Sequence, residues 1–250
     1  MRIITIASSK GGVGKTTITA NLGAALKSEF GRKVVLIDGN MMNANLGLHF
    51  GINYSVSTLL DVLKRKEKIS EAIFTHSSGV SIIPSPLDLN ITRVDLKKIK
   101  SIFKDLRDSY EILLIDSAPG IGMESMSAIG IADEVIVSTT PDLPSVLGCL
   151  KSIEIAEKLG KVVTGIVLNR VEKKEYEVTK NEIESLCESK VIAMIPEDKN
   201  IPKSIIFQQP VVFHRPFSRS SIEIKKLAAQ LIGEKYSGPG FFAKLKNFFV

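Results

Sequence analysis

The strongest constraint on how this chain can fold is a set of short runs in which nearly every residue is apolar. They fall at 3–7, 33–37, 80–83, 112–115, 134–138, 162–168 and 191–195, and most are Ile- and Val-rich. Successive side chains of a strand point to opposite faces, so a run without polar alternation predicts burial on both. Between the runs lie amphipathic stretches with helical spacing, at 15–27, 57–64, 96–106, 145–158, 175–187 and 218–234. Strands alternating with helices predict a doubly wound α/β domain, a mostly parallel sheet flanked by helices. With 44% apolar residues in 250, the chain can fill one large core, and residues 1–236 read as one domain.

Composition closes off several function classes. The two cysteines, Cys149 and Cys187, form no C-x-x-C pair and sit in apolar helical patterns, so they read as core thiols rather than zinc or iron–sulfur ligands. His49, His76 and His214 show no ligand spacing, and a reducing compartment fits. The chain passes from Met1-Arg2-Ile3 into a strand with no charged-then-apolar leader. No apolar run reaches the ~20 residues that cross a bilayer. A cytoplasmic location is the expectation, in which the sequons at Asn53 and Asn90 carry no meaning. The net charge of +6 suits either an ordinary basic surface or an anionic partner such as a membrane or a nucleic acid.

The first strand runs into Ser9-Lys10-Gly11-Gly12-Val13-Gly14-Lys15-Thr16-Thr17, and a helix follows. Glycines let the backbone curl so that its N–H groups point inward at phosphates, and the helix adds free N–H groups and the positive end of its dipole. Lys15 can bridge the β- and γ-phosphates, and the Thr16 hydroxyl can ligate Mg²⁺. Asp116 ends the apolar run at 112–115, where a carboxylate can hold Mg²⁺ through water. ATP or ADP with Mg²⁺ is the expected ligand.

Lys10-Gly11-Gly12-Val13-Gly14-Lys15-Thr16 resembles the deviant Walker A motif of the MinD/ParA family of P-loop ATPases, closest to its MinD branch. Ser9, where the common motif has Gly, is compatible with the deviant form. The resemblance covers nearly the whole chain and implies that Lys10 reaches across an ATP-bound homodimer to the partner's phosphates. Ser117-Ala118-Pro119-Gly120 resembles the second switch, in which the Gly120 N–H approaches the γ-phosphate. Asp38-Gly39-Asn40, followed by 44–48, resembles the first switch. The family usually has a second carboxylate where this chain has Asn40. An amide can orient a water but cannot accept its proton, so hydrolysis is expected to be slow or to depend on a partner. Asn169-Arg170 and Pro196-Glu197-Asp198 resemble base-recognition segments, with Asn169 pairing with adenine and the second loop closing over the ring.

The composition changes at 237–240, Ser-Gly-Pro-Gly, which reads as a flexible linker. In the segment 241–250, Phe241, Phe242, Leu245, Phe248 and Phe249 share one helical face, with Lys244 and Lys246 toward its flanks. A helix this short is marginal in water, so it is expected to fold on an anionic membrane. The segment resembles the membrane-targeting helix that ends MinD proteins. The leading reading is therefore an ATP-dependent dimerising switch, peripheral on the cytoplasmic face of the membrane, that positions division or other proteins and has an unidentified activator or cargo. The alternatives are a flagellar-number regulator of the same type or a ParA-type DNA-partitioning ATPase. DNA is the less favoured partner: Lys97, Lys98, Lys100 and Lys104 could serve it, but they read better as a solvated face.

Overall fold

The computed structural model describes residues 1–41, 43–52, 57–64, 68–85 and 101–238. Its centre is an eight-stranded sheet in the order β3-β4-β2-β5-β1-β6-β7-β8. The strands are β1 Arg2–Ala7, β2 Val34–Gly39, β3 Phe74–Thr75, β4 Ser81–Ile83, β5 Ile112–Ser117, β6 Glu134–Thr139, β7 Val162–Val171 and β8 Val191–Pro196. Every pairing is parallel except the edge pair β3–β4. The two-residue β3 has too few residues to show a pattern in the sequence, and both are exposed.

The unbroken apolar runs do what two-sided burial requires. Ile4 and Ile6 of β1, and Val34 and Leu36 of β2, pack in one layer, while Ile3, Ala7, Val35 and Ile37 pack in the other. The first layer holds α1, Lys15–Ser28, and the last described helix, Arg219–Leu231. The second holds α3, Met123–Ile131, α4, Leu143–Lys158, and α5, Lys180–Cys187. Cys149 and Cys187 are buried there as free thiols, as their apolar surroundings predict.

Several helix boundaries differ from expectation, each for a local reason. Helix α2 is Leu59–Leu63, trimmed by its Thr58–Asp61 capping box. Helix α4 starts two residues early, because Asp142 accepts the Ser145 N–H as its cap and Pro144 fits the first turn. Helix α5 starts at Lys180, not 175, because Thr179 and Glu182 form a capping box. Ahead of it, Glu177 accepts the N–H groups of Glu172 and Lys173 and clips 172–177 into a loop. Helix α3 and the short helices α6, Asn200–Ile206, and α7, Val211–His214, were not predicted. The last helix is α8, Arg219–Leu231. Of the helix expected at 96–106, only 101–106 is described, ending in a 3₁₀ turn at Phe103–Leu106. Lys97, Lys98 and Lys100, and the membrane-targeting segment with Phe241, Phe242, Lys244, Leu245, Lys246, Phe248 and Phe249, lie outside the described residues. Among those described, no helix is long and apolar enough to cross a membrane.

β1 pairs with β5 on one side and β6 on the other, neither of them its neighbour in sequence. The loops leaving the strand ends diverge there, and the crevice that opens is where doubly wound sheets bind ligands.

Candidate nucleotide-binding site

The loop leaving β1 curls as its glycines allow. Gly12 and Gly14 have φ of 81° and 92°, a region costly for other residues. Gly14 is fixed twice over, since a Cβ there would lie 2.2 Å from Asn169 Nδ2. Ser8 accepts the Lys10 N–H through its hydroxyl, and its carbonyl accepts the Gly120 N–H at 3.1 Å. The second switch is thereby tied to the loop, and Gly120 must exchange that bond to approach a γ-phosphate. Ser9 lies against Gly148 of α4, where a Cβ would come within 2.1 Å of its hydroxyl.

Lys15 is 7% exposed, and burial lowers its pKa while Asp116 opposes the shift. Thr16, next to it at the start of α1, donates to Asp116 Oδ2 at 2.6 Å. Val13 is buried, and Thr17 uses its carbonyl to receive the Asn21 amide at 2.8 Å. Register places Asp38 beside Asp116. Burial pushes both carboxyls up, Asp38 to about 8 with the Asp116 charge adding to it, and Asp116 to about 6 against the Thr16 hydrogen bond and the Lys15 cation. Asp116 Oδ1 is buried with no hydrogen-bond partner among the described residues. A hydroxyl, a carboxylate with one orphan oxygen and a neighbouring carboxylate fit a hard divalent cation such as Mg²⁺.

Asp38 also organises the first switch. Its carboxylate accepts the N–H of Asn40 at 3.1 Å and of Leu46 at 3.0 Å, and its carbonyl accepts the Ser85 hydroxyl. Asn40 is 9% exposed in this loop. Two residues expected at the base have structural partners that sequence alone does not reveal. Asn169 donates its amide to the Val13 carbonyl at 2.8 Å, so one N–H braces the phosphate loop. The Asp198 carboxylate accepts the Asn200 N–H at 2.8 Å and the Ser220 hydroxyl at 2.6 Å. It fastens α6 to α8, at the end of the loop expected to close over a base. Arg170 has φ of 58°, and its guanidinium lies 4.0 Å from Glu197, whose N–H donates to the Val171 carbonyl. Pro196 ends β8 beside them.

Lys10 shows a cluster the sequence reading missed. Its ammonium donates to Asp142 Oδ1 at 3.0 Å and to Ser145 Oγ at 2.9 Å, both at the start of α4. Burial works against the Asp142 charge, but hydrogen bonds from Thr140, Ser145 and Lys10 hold its carboxyl well below the usual carboxylate range. The available signal was the cap pattern Asp142-x-Pro144-Ser145 after an apolar strand. Lys10, Gly11, Gly12, Arg170 and Tyr176 line an open groove of about 340 Å³.

Comparison with known proteins agrees with this geometry. A family model described as an AAA domain matches residues 1–169. An uncharacterised ATP-binding protein of Methanocaldococcus jannaschii is 41% identical over 93% of this chain and 88% of its own length. The cell-division ATPase MinD of Pyrococcus furiosus superposes with a TM-score of 0.87 at 33% identity, covering 93% of this chain and 98% of that one. The septum site-determining protein MinD of Pyrococcus horikoshii, complexed with Mg-ADP, gives 0.86 at 34%, covering 92% and 95%.

Proposed function

This chain belongs to the MinD/ParA family of P-loop ATPases, and from that premise we propose an ATP-dependent dimerising switch that visits a membrane surface and positions other proteins there. Family members are ATPases that use ATP or ADP with Mg²⁺. The observation that carries the reading is the contrast between two lysines on one loop. Lys15 is buried beside Asp116, placed for a phosphate in its own site. Lys10 lies at the rim with its side chain 48% exposed, held among the described residues by an ion pair with Asp142 and a hydroxyl. An ion pair this exposed is worth ~1 kcal/mol or less, so an incoming phosphate can replace it.

Thr16 and Asp116 would hold Mg²⁺, which supplies positive charge to the phosphate oxygens. Lys15, the Gly11–Gly14 backbone and Thr17 would bind the triphosphate, with Asn169, Arg170 and the loop Pro196-Glu197-Asp198 around the base. Asp38 fixes the first switch and Asn40 orients water without taking its proton, which makes turnover slow or dependent on an activator.

At the other end, segment 241–250 would act as the membrane anchor after the linker at 237–240, keeping the protein peripheral on the cytoplasmic face. One short helix binds weakly, because ordering its backbone costs ~1–2 kcal/mol per residue against ~1.5–3 kcal/mol for each fully buried Phe or Leu. Two tails on one dimer gain ~10²–10⁴-fold by avidity. ATP would then recruit the protein and hydrolysis release it. Recruitment to anionic liposomes with ATP, ADP or no nucleotide tests this, comparing the full chain, Lys10→Ala and a chain ending at Ser237. The expected result is ATP-dependent recruitment of the full chain alone. Equal lipid binding by all three would overturn the reading, and salt-sensitive DNA binding in ATP would favour the ParA-type alternative.

A further inference from the structure

The segment after the base loop presents a surface that the nucleotide site does not use. Along α6 and its caps, Lys199, Lys203, Ile206 and Phe207 are spaced i, i+4, i+7 and i+8, so they form one stripe. All are exposed, Ile206 at 79% and Phe207 at 63%, which makes them among the most exposed large apolar side chains described. Phe207 is held in place by stacking on His214, with ring centroids 4.9 Å apart and planes at 22°. Arg215 follows His214, and Arg219 opens α8. Among the described residues, Lys199, Lys203, Arg215 and Arg219 have no side-chain hydrogen bond or ion pair. The nearby carboxylates are engaged elsewhere, Asp198 with Asn200 and Ser220, and Glu197 with Arg170.

From this arrangement we infer that the α6–α7 surface docks an acidic, amphipathic segment of a partner protein, with Ile206 and Phe207 as the apolar centre and the four cations as its rim. Two adjacent apolar side chains inside a charged border have the anatomy of a protein interface. The stacked Phe207 ring is already ordered, which lowers the entropic cost of burying it. The charges select the partner, because carboxylates beside its own apolar anchors would meet unpaired ammonium and guanidinium groups.

Other occupants fit less well. A phosphate backbone gains nothing from the exposed aliphatic Ile206. A membrane is disfavoured by placement. α8 starts at this end, where Ser220 meets Asp198, and finishes toward the opposite end of the strands, where its Leu231 carbonyl accepts Arg2 at the start of β1. The stripe and the end of the last described helix therefore lie toward opposite ends of the strands. A second copy meeting this face across a two-fold axis would set lysine against lysine.

The position gives docking a consequence. The turn after α6 abuts the 3₁₀ turn Gly47–Phe50 at the end of the first-switch segment, since a Cβ on Gly51 would lie 3.2 Å from Gln208 Oε1. The same helix begins at Asn200, whose N–H donates to Asp198 of the base loop. A partner seated here contacts a helix that packs beside the Gly51 turn at one end and is hydrogen-bonded to the base loop at the other. This deepens the switch reading by naming the chemistry of its partner.

The test is NMR titration of the full-length, nucleotide-free chain with a synthetic helical peptide carrying two adjacent leucines flanked by glutamates. The controls are its Glu→Gln analogue, a 20-base-pair DNA duplex and phosphatidylglycerol vesicles. The acidic peptide should saturate with a footprint on Lys199, Lys203, Ile206, Phe207 and Arg215, and Lys203→Glu or Phe207→Ser should each weaken it about tenfold or more. A footprint elsewhere, no saturable binding, equal binding of the Gln analogue, or stripe-dependent capture of DNA or vesicles would each overturn the inference. Nucleotide titration of Lys203→Glu is expected to match wild type, so loss of docking is separable from failure of the switch.

Discussion

The residues that matter most chemically are the two carboxylates at the ends of β2 and β5. Burial raises both, so the nucleotide-free pair retains a proton at neutral pH. The unfolded chain releases these protons near 3.8, the ordinary value for Asp, while the folded chain holds them until about 6 and 8. The folded state therefore binds more protons in that window, and this contribution to its stability falls as pH rises through it. A divalent cation at Asp116 expels the retained proton, so Mg·ATP should bind more tightly as pH rises from 6 to 8. Calorimetry across that range in buffers of different ionisation enthalpy checks it; a flat affinity profile without proton release would contradict the shared site. Asn40 is the second residue-scale test. Asn40→Asp supplies the missing base and should raise the single-turnover rate by ~10²-fold or more. No increase would show that Asn40 does not limit hydrolysis.

At the scale of elements, α4 joins its own cap to the loop lysine. Asp142 caps the helix through the Ser145 N–H and holds Lys10 with the same carboxylate. Asp142→Asn keeps a cap acceptor but removes the charge, so helix stability should change little while Lys10 is released. The exposed ion pair is worth ~1 kcal/mol or less and two are given up per dimer, which predicts up to about a thirtyfold shift of the dimer constant in ATP. Sedimentation at several concentrations measures it, and an unchanged dimer constant would show that Asp142 does not compete for Lys10. Boundaries such as those of α4 and α5 were harder to read than the helices themselves. Apolar spacing continues past the point where Thr179 or Asp142 captures a backbone N–H, so periodicity finds the helix and the cap decides where it starts. The short helices α6 and α7 have too few turns for any period to stand out.

For the whole molecule, ligand binding to the folded state alone must stabilise it. At a free Mg·ATP concentration ~100-fold above Kd the gain is ~2.7 kcal/mol, which for a chain of this size raises Tm by roughly 5–10 °C. Differential scanning fluorimetry tests this, and a well-folded sample with no shift would remove the switch together with its dimer and membrane steps. The sequence by itself determined the sheet and the phosphate loop, since two-sided burial demands unbroken apolar strands and a curled loop demands Gly, Lys and Thr at fixed spacing. Both requirements are local, acting on residues adjacent along the chain. Only the tertiary structure decided that Asn169 braces the loop, that Asp198 ties α6 to α8, that Lys10 rests on Asp142, and that α6 shows a cationic stripe with an apolar centre. Those depend on groups brought together from distant parts of the chain, where a polar side chain takes whichever partner the packing leaves within reach.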